Sequence, residues 1–349
     1  MIGETTIIIP ALKNSPILDN TLKHCLELKT NPNIIIVTDD STNQTYQDQN
    51  NVEYMIVKPG MTMSKKRNIA VQKCETKYIA FFDSDSFPAN QNWIISAIDS
   101  LKKDEKIYAV GGPDTSPPFE EESQKNVGLL KKSFLISGFR NHRKNILNEM
   151  YVPELSSCNL FMEREKYLSL NGMDENLYTG EDTDLFNRII ASGYKLYYSP
   201  NVHAYHYDRY FKSFLIERYD RGMQSTVAIK AYSKRIFLKN AIVPGRAYTT
   251  KTFRFEFLIN PLFMIYLIGL IFFLFFSKIN FYYVVPLLFY FLILLIESIR
   301  ISNFTLNFIN LFFKLLIATI IQSIASLLLF FNLSIDLKKH YRNVSDDYQ

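Results

Sequence analysis

The sequence predicts an α/β domain on a mostly parallel, Rossmann-like sheet followed by an α-helical membrane anchor, and three observations predict it. Apolar, β-branched runs alternate with segments of helical periodicity from the N-terminus to about Ser199. Two of those runs end directly in acidic clusters. From Leu258 onward charged residues nearly vanish, and Phe, Leu and Ile dominate.

Thr5-Thr6-Ile7-Ile8-Ile9-Pro10 reads as a buried strand stopped by proline, with a helix-spaced stretch running on to Leu28. Asn33 to Val37 is a second strand, ending in Thr38-Asp39-Asp40-Ser41-Thr42. Val52 to Val57 is a third, Ser64 to Cys74 a helix, and Tyr78 to Phe82 a strand entering Asp83-Ser84-Asp85. Strand, helix, strand implies parallel βαβ units, whose ligands bind beyond the carboxyl ends of the strands. Both acidic clusters fall there.

Trp93 to Leu101 reads as a helix and Ile107 to Val110 as a strand, closed by Gly111-Gly112-Pro113. Asp114 to Met150 is expected to form loops with one helix. Ser156 to Met162 reads as a strand, Arg164 to Leu170 as a short helix, Glu181 to Ser192 as a helix stopped by Gly193, and Tyr194 to Ser199 as a strand.

Leu258 to Phe276 and Phe281 to Ile296 each approach the ~20 apolar residues that cross a hydrocarbon core. Ser277-Lys278-Ile279-Asn280 supplies the turn of a helical hairpin, and Leu311 to Phe331 is a third candidate, with Lys314 at one end and Gln322 within. Three crossings would place Lys338, Lys339, His340 and Arg342 outside, against the positive-inside tendency. The expected organisation is a catalytic domain over 1–225, a basic juxtamembrane segment over 226–257, transmembrane helices within 258–333 (258–276, 281–297 and 311–332) and a polar tail over 334–349.

The formal charge is +5, and Lys230, Lys234, Arg235, Lys239, Arg246, Lys251 and Arg254 gather before the apolar region. That placement suits anionic lipid head groups and argues against a nucleic-acid partner. Cys25, Cys74 and Cys158 have no metal-type spacing and imply reduced thiols. No basic n-region precedes the first apolar run, so the N-terminal domain is expected on the cytoplasmic face of the cell membrane, in a multi-pass protein.

An Asp-x-Asp pair alone is weak evidence, but at the end of a buried strand its desolvation calls for a cation or donors. Spacing of two in an extended chain puts both carboxylates on one side, so one can hold a divalent metal while the other binds a sugar hydroxyl. Asp39-Asp40-Ser41-Thr42 serves equally well as an Asx turn. Acids that rim a diphosphate site require a metal, and Lys65, Lys66 and Arg67 can add positive charge. Gly180-Glu181-Asp182-Thr183-Asp184 opens a helix, where acids are favoured by the dipole and where one can also act as a general base. His203 and His206 are candidates for metal or phosphate.

Taken in order, these features resemble the family 2 glycosyltransferases, inverting enzymes of the GT-A (nucleotide-diphospho-sugar transferase) fold, over roughly Thr5 to Arg221. Ile7-Ile8-Ile9-Pro10 matches the opening strand, and Val37-Thr38-Asp39-Asp40-Ser41-Thr42-Asn43 is similar to the family's V-D-D-G-S-T-D segment, with Asp40 in place of glycine. Arg67-Asn68-Ile69-Ala70 resembles R-N-x-A, and Asp83-Ser84-Asp85 matches D-x-D. Asn171-Gly172-Met173-Asp174-Glu175 and Gly180-Glu181-Asp182-Thr183-Asp184-Leu185-Phe186-Asn187-Arg188 resemble G-G-F-D-E and G-E-D-x-D-L-x-x-R.

The resemblance implies that Pro10, Asp39, Arg67, Asn68 and Asp83 line the donor nucleotide, that Asp85 holds Mg2+ or Mn2+, and that Asp182 is the catalytic base. Glu181, Asp184, Arg188 and His206 would serve the acceptor or support the site. The expected partners are a nucleotide-sugar donor, a UDP-sugar foremost, a lipid-linked or glycan acceptor, and membrane lipids. No Q-x-x-R-W motif of processive synthases is present; Glu217 to Gly222 occupies its region, so transfer of one or a few sugars is expected. Rival readings are a polyprenyl-phosphate sugar synthase and a non-catalytic nucleotide-sugar sensor.

Overall fold

The computed structural model describes residues 3–42, 44–177, 180–223, 256–276 and 281–331. They form two compact units: Met1–Phe119 with His142–Tyr207, and Glu120–Asn141 with 208–223 and the described C-terminal helices. The basic cluster from Lys230 to Arg254, the turn Ser277-Lys278-Ile279-Asn280 and the tail 334–349 lie outside the described residues.

In the first unit, β1 (Thr5–Ala11), α1 (Pro16–Leu26), β2 (Asn33–Thr38), β3 (Val52–Ile56), α2 (Met63–Lys73) and β4 (Tyr78–Phe81) make the expected βαβ units. The four strands are parallel in the order β3-β2-β1-β4. Helices cover both faces of β1. Ile7 and Ile9 join Leu18, Leu22 and Cys25 of α1 in one core, while Ile8 joins Ala70 and Val71 of α2 in another. Two-sided burial is why the strand reads as an unbroken apolar run. Pro10 does not stop β1, which continues to Ala11; the ladder to β4 ends at Ile8, so the missing N–H costs no bond on that side.

The sheet continues through β6 (Ile107–Gly111), β8 (Met150–Val152), β9 (Leu160–Glu163) and β10 (Lys195–Tyr198), giving the full order β3-β2-β1-β4-β9-β6-β10-β8. The strand expected from Ser156 begins only at Leu160, after a tight Ser156 to Asn159 bridge, and β9 lies antiparallel to both neighbours. A small second sheet joins β5 (Ser86–Pro88), β7 (Asp114–Thr115) and β11 (Ala204–His206) in the order β5-β11-β7. Trp93, Ile94 and Ile98 of α3 (Trp93–Leu101) bury on the face that α1 covers. Tyr167 of α6 (Arg164–Ser169) and Leu185, Phe186 and Ile189 of α7 (Glu181–Ala191) bury on the other.

Asp114 to Met150 holds more helix than expected: α4 (Glu122–Lys131), α5 (Phe134–Ser137) and a 3-10 segment, Gly138–Lys144. In the second unit, Val127, Leu130 and Ile136 from α4 and α5 and Phe214 from α8 (211–223) share a core with Leu294, Ile301, Leu311 and Leu315. The last four belong to α10 (Val285–Ile301) and α11 (Phe308–Phe330), which follow α9 (Glu256–Phe276). At Gly222 a Cβ would lie 2.0 Å from the Gln322 carbonyl oxygen, so α8 and α11 meet backbone to backbone. Phe281–Ile301 and Phe308–Leu328 are long and apolar enough to cross a membrane, whereas the apolar stretch within α9, Pro261–Phe273, is shorter. Leu288, Phe289, Leu292, Ile296 and Phe313 are exposed on them.

Candidate functional site

The carboxyl ends of β2 and β4 each deliver an acid, and α2 answers both. Asp39, just past β2, pairs with Lys66 Nζ at 2.5 Å and accepts the Gly60 N–H at 3.2 Å. Lys66 is fully buried and also donates to the Ala11 carbonyl at 2.5 Å. Burial lowers its ammonium pKa against the opposing pull of Asp39. Asp40 is instead an Asx turn: its carboxylate accepts from Thr42 N and Oγ1 at 2.8 and 2.7 Å, and those bonds hold its pKa low.

Arg67 follows Lys66 on α2 and is 2% exposed. Its guanidinium spans two carboxylates, Asp83 at 2.5 Å and Glu181 at 3.2 Å. Burial disfavours the charge, but Asp83 and Glu181 outweigh it and raise the guanidinium pKa. Thus Arg67 ties the end of β4 to the start of α7. The cationic run read as a phosphate-facing surface turns largely to internal carboxylates.

Asn68 is committed to the chain itself. Its amide donates to the Met173 carbonyl at 2.9 Å and to Glu175 at 3.0 Å, while its oxygen accepts from Tyr167 Oη at 2.5 Å and Met173 N at 3.0 Å. These bonds grip the Asn171-Gly172 turn. Gly172 has φ +61°, and a Cβ there would lie 2.4 Å from Asn68 Oδ1, so only glycine fits. From the other side Arg188 donates to the Leu170 and Gly172 carbonyls at 2.6 and 2.7 Å and to buried Asp184 at 2.8 Å. Asn68, Asp184 and Arg188 therefore set where α7 begins.

Asp83 and Asp85 are fixed by the small sheet. Ser86 Oγ accepts Asp83 N–H at 2.7 Å and donates to the Cys158 carbonyl at 3.0 Å, and Tyr207 N–H donates to the Asp85 carbonyl at 3.0 Å. Burial raises the Asp83 carboxyl pKa, Arg67 opposes this, and Asp85 adds to it. His206, at the end of β11, brings Nε2 to 3.6 Å from Asp85. Ligand atoms of Asp83, Cys158 and His206 lie within 4.8 Å of one another. His206 Nδ1 is buried without a hydrogen bond among the described residues. Two carboxylates and an imidazole nitrogen suit a divalent cation. Cys158 is a poorer ligand, because burial keeps its thiol pKa well above normal. His203 is structural, bonded to Thr115 Oγ1 at 2.7 Å.

Asp182, in the first turn of α7, accepts the Thr183 N–H at 2.7 Å. Its other oxygen lies 3.7 Å from Arg143 Nη2, a neighbour that no motif of the chain announces. Lys144 pairs with buried Asp114 at 2.9 Å. Pro10 lies in β1 opposite Val37 and presents no polar group beyond its carbonyl.

Glu181 makes a pH prediction. Burial, then the Asp182 charge, raise its carboxyl pKa to about 7 in spite of Arg67. A raised folded-state value means stability that is complete below the unfolded value of 4.5 and lost as pH rises through about 7. Thermal midpoints of the metal-free protein should fall between those limits, and Glu181→Gln should flatten that fall; an unchanged slope would remove Glu181 as its source.

Residues 6–166 match the family model described as glycosyl transferase family 2, and residues 145–234 match the N-terminal domain of galactosyltransferase. Chondroitin synthase of Pasteurella multocida is 30% identical over 115 residues, which are 30% of this chain and 12% of that protein. Pre-mycofactocin glycosyltransferase of Mycobacterium tuberculosis is 24% identical over 202 residues, 56% of this chain and 41% of the other. The chain thus spans less than half the length of either relative. A mannosyltransferase of Pyrobaculum calidifontis, solved in complex with GDP-Man and Mn2+, superposes with a TM-score of 0.58 at 14% identity, over 93% of this chain and 87% of that one. That likeness shows the shared GT-A fold. The family match over residues 6–166 makes that part of the chain a family 2 glycosyltransferase domain.

Proposed function

We propose that the protein is a membrane-associated, metal-dependent inverting glycosyltransferase that moves a sugar from a nucleoside-diphosphate donor to a hydroxyl of a lipid-linked or surface-glycan acceptor. One observation carries this reading: Arg67 joins Asp83, of the cation-suited group, to Glu181, the neighbour of Asp182. Asp39 and Asp83 would face the donor nucleotide. Asp85 and His206, with Asp83, would hold Mg2+ or Mn2+, which supplies charge neutralisation for the leaving diphosphate. Asp182 would take the proton of the acceptor hydroxyl as its oxygen attacks the anomeric carbon from the face opposite the diphosphate. The relatives and the structural neighbour, named for glycosyl transfer and GDP-Man, support this reading.

The exposed apolar flanks of α10 and α11 support a membrane location; the catalytic domain would lie on its cytoplasmic face. Lipid extracts incubated with the full-length protein and a panel of UDP- and GDP-sugars should yield a glycosylated lipid by mass spectrometry, and only with Mg2+ or Mn2+ present. Asp85→Ala should weaken metal-dependent UDP binding and transfer together. Undiminished transfer in excess EDTA would overturn the metal role.

The nearest rival, a polyprenyl-phosphate sugar synthase, is favoured by one feature, the cationic Arg143 beside Asp182. Product from polyprenyl phosphate alone, without any glycan, would select it.

A further inference from the structure

Arg143 has a guanidinium edge that makes no hydrogen bond among the described residues. Its side chain is 14% exposed, and both Nε and Nη2 are buried without a hydrogen bond among the described residues. The Asp182 carboxylate is 3.7 Å from Nη2, close enough for attraction and too far for a hydrogen bond. Asp114 attracts Arg143 but makes no hydrogen bond to this edge; Lys144 pairs with the Asp114 carboxylate at 2.9 Å and donates to its carbonyl at 2.7 Å. Asp114 Oδ2 faces the Cys158 thiol at 3.4 Å.

Buried N–H groups without acceptors are rare, because each gives up its water without recompense. Nε–H and the adjacent Nη2–H point the same way and form the fork that receives two oxygens of a carboxylate or phosphate side by side. That fork stands beside the carboxylate assigned to the acceptor hydroxyl. A hydroxyl held by Asp182 within 2.6–3.2 Å keeps its neighbouring substituents within reach of a guanidinium 3.7 Å away. The donor diphosphate would take its counter-charge from the cation that Asp83, Asp85 and His206 would hold.

We propose that the Nε/Nη2 edge of Arg143 is an oxyanion-binding subsite on the acceptor side of Asp182, so that the acceptor carries a carboxylate or phosphate next to the hydroxyl that reacts. The proposal rests on the glycosyltransferase reading for the meaning of "acceptor side".

The test is calorimetric and needs no turnover. Full-length protein in detergent, saturated with UDP and Mg2+, is titrated with inorganic phosphate and, separately, with glucuronate. Wild type should bind at least one of them, and which one identifies the phosphate or the carboxylate as the natural group. Arg143→Gln should weaken that binding at least tenfold, and Arg143→Lys, which keeps charge but lacks the fork, severalfold. UDP affinity and thermal midpoint should stay at wild-type values in both variants, which verifies that the site is folded. Equal anion affinity in wild type and Arg143→Gln, or no anion binding by wild type, overturns the proposal. So does a loss confined to UDP affinity, which would give the guanidinium to the donor. Failure of the broader reading is separate and visible: neither UDP nor GDP would bind any form of the protein.

Discussion

Replacing Asp182 by Asn is expected to abolish most glycosyl transfer while leaving metal-dependent nucleotide binding intact. Asn preserves the shape and the oxygen that accepts the Thr183 N–H at 2.7 Å, so α7 should start unchanged. What disappears is the carboxylate able to take the proton of an attacking hydroxyl. General-base catalysis contributes roughly 100- to 10,000-fold, so single-turnover rates should drop by that order. Arg67, Asp83 and Asp85 are untouched, and UDP affinity with Mg2+ should remain within about twofold, since no donor-side charge changes. Wild-type turnover by Asp182→Asn would take the residue out of the base role.

The largest stability effect is expected at Arg67. Removing one member of a buried charge group strands its partners, and such losses cost about 3–5 kcal/mol. Arg67→Met would leave Asp83 and Glu181 without their shared cation in a site where Arg67 is 2% exposed. The thermal midpoint should fall by many degrees. At a pH well above 7, where Glu181 is ionised, adding Glu181→Gln to Arg67→Met removes one stranded charge, so the double variant should regain part of the loss; a double variant no more stable than Arg67→Met there would show that Glu181 is not one of the charges Arg67 offsets. Activity should not return, because Asp83 remains unpaired.

Much of the first unit was legible because it obeys local rules. β1, β2 and β4 are covered by helices on both faces, so burial writes itself as continuous Ile, Val and Phe, and α3 matches its expected bounds. Direction is not written in the same way. An apolar run looks alike whether parallel or antiparallel, and nothing around Leu160 announces that β9 reverses between β4 and β6. The span from Asp114 to Met150 misled for another reason: Val127, Leu130 and Ile136 bury against residues far along the chain, beyond any local window.

The candidate site divides similarly. Asp39, Asp83, Asp85 and Asp182 were readable as acids at strand ends or a helix start. The partners that define them were not. Lys66 and Arg67 looked like a basic helix face, yet both are buried on carboxylates. Asn68 looked like a nucleotide contact and is a clasp on the Gly172 turn. Arg143 sits in a polar 3-10 segment without periodicity, so its meeting with Asp182 needed three dimensions.

The backbone contact between Gly222 and Gln322 bears on how the enzyme is to be handled. Shortening the polypeptide ahead of its apolar end, the usual way to make such enzymes water-soluble, would strip α4, α5 and α8 of the surface on which Val127, Ile136 and Phe214 rest. The sticky patch left behind would trade one insoluble face for another. Detergent extraction of the intact polypeptide keeps those helices seated.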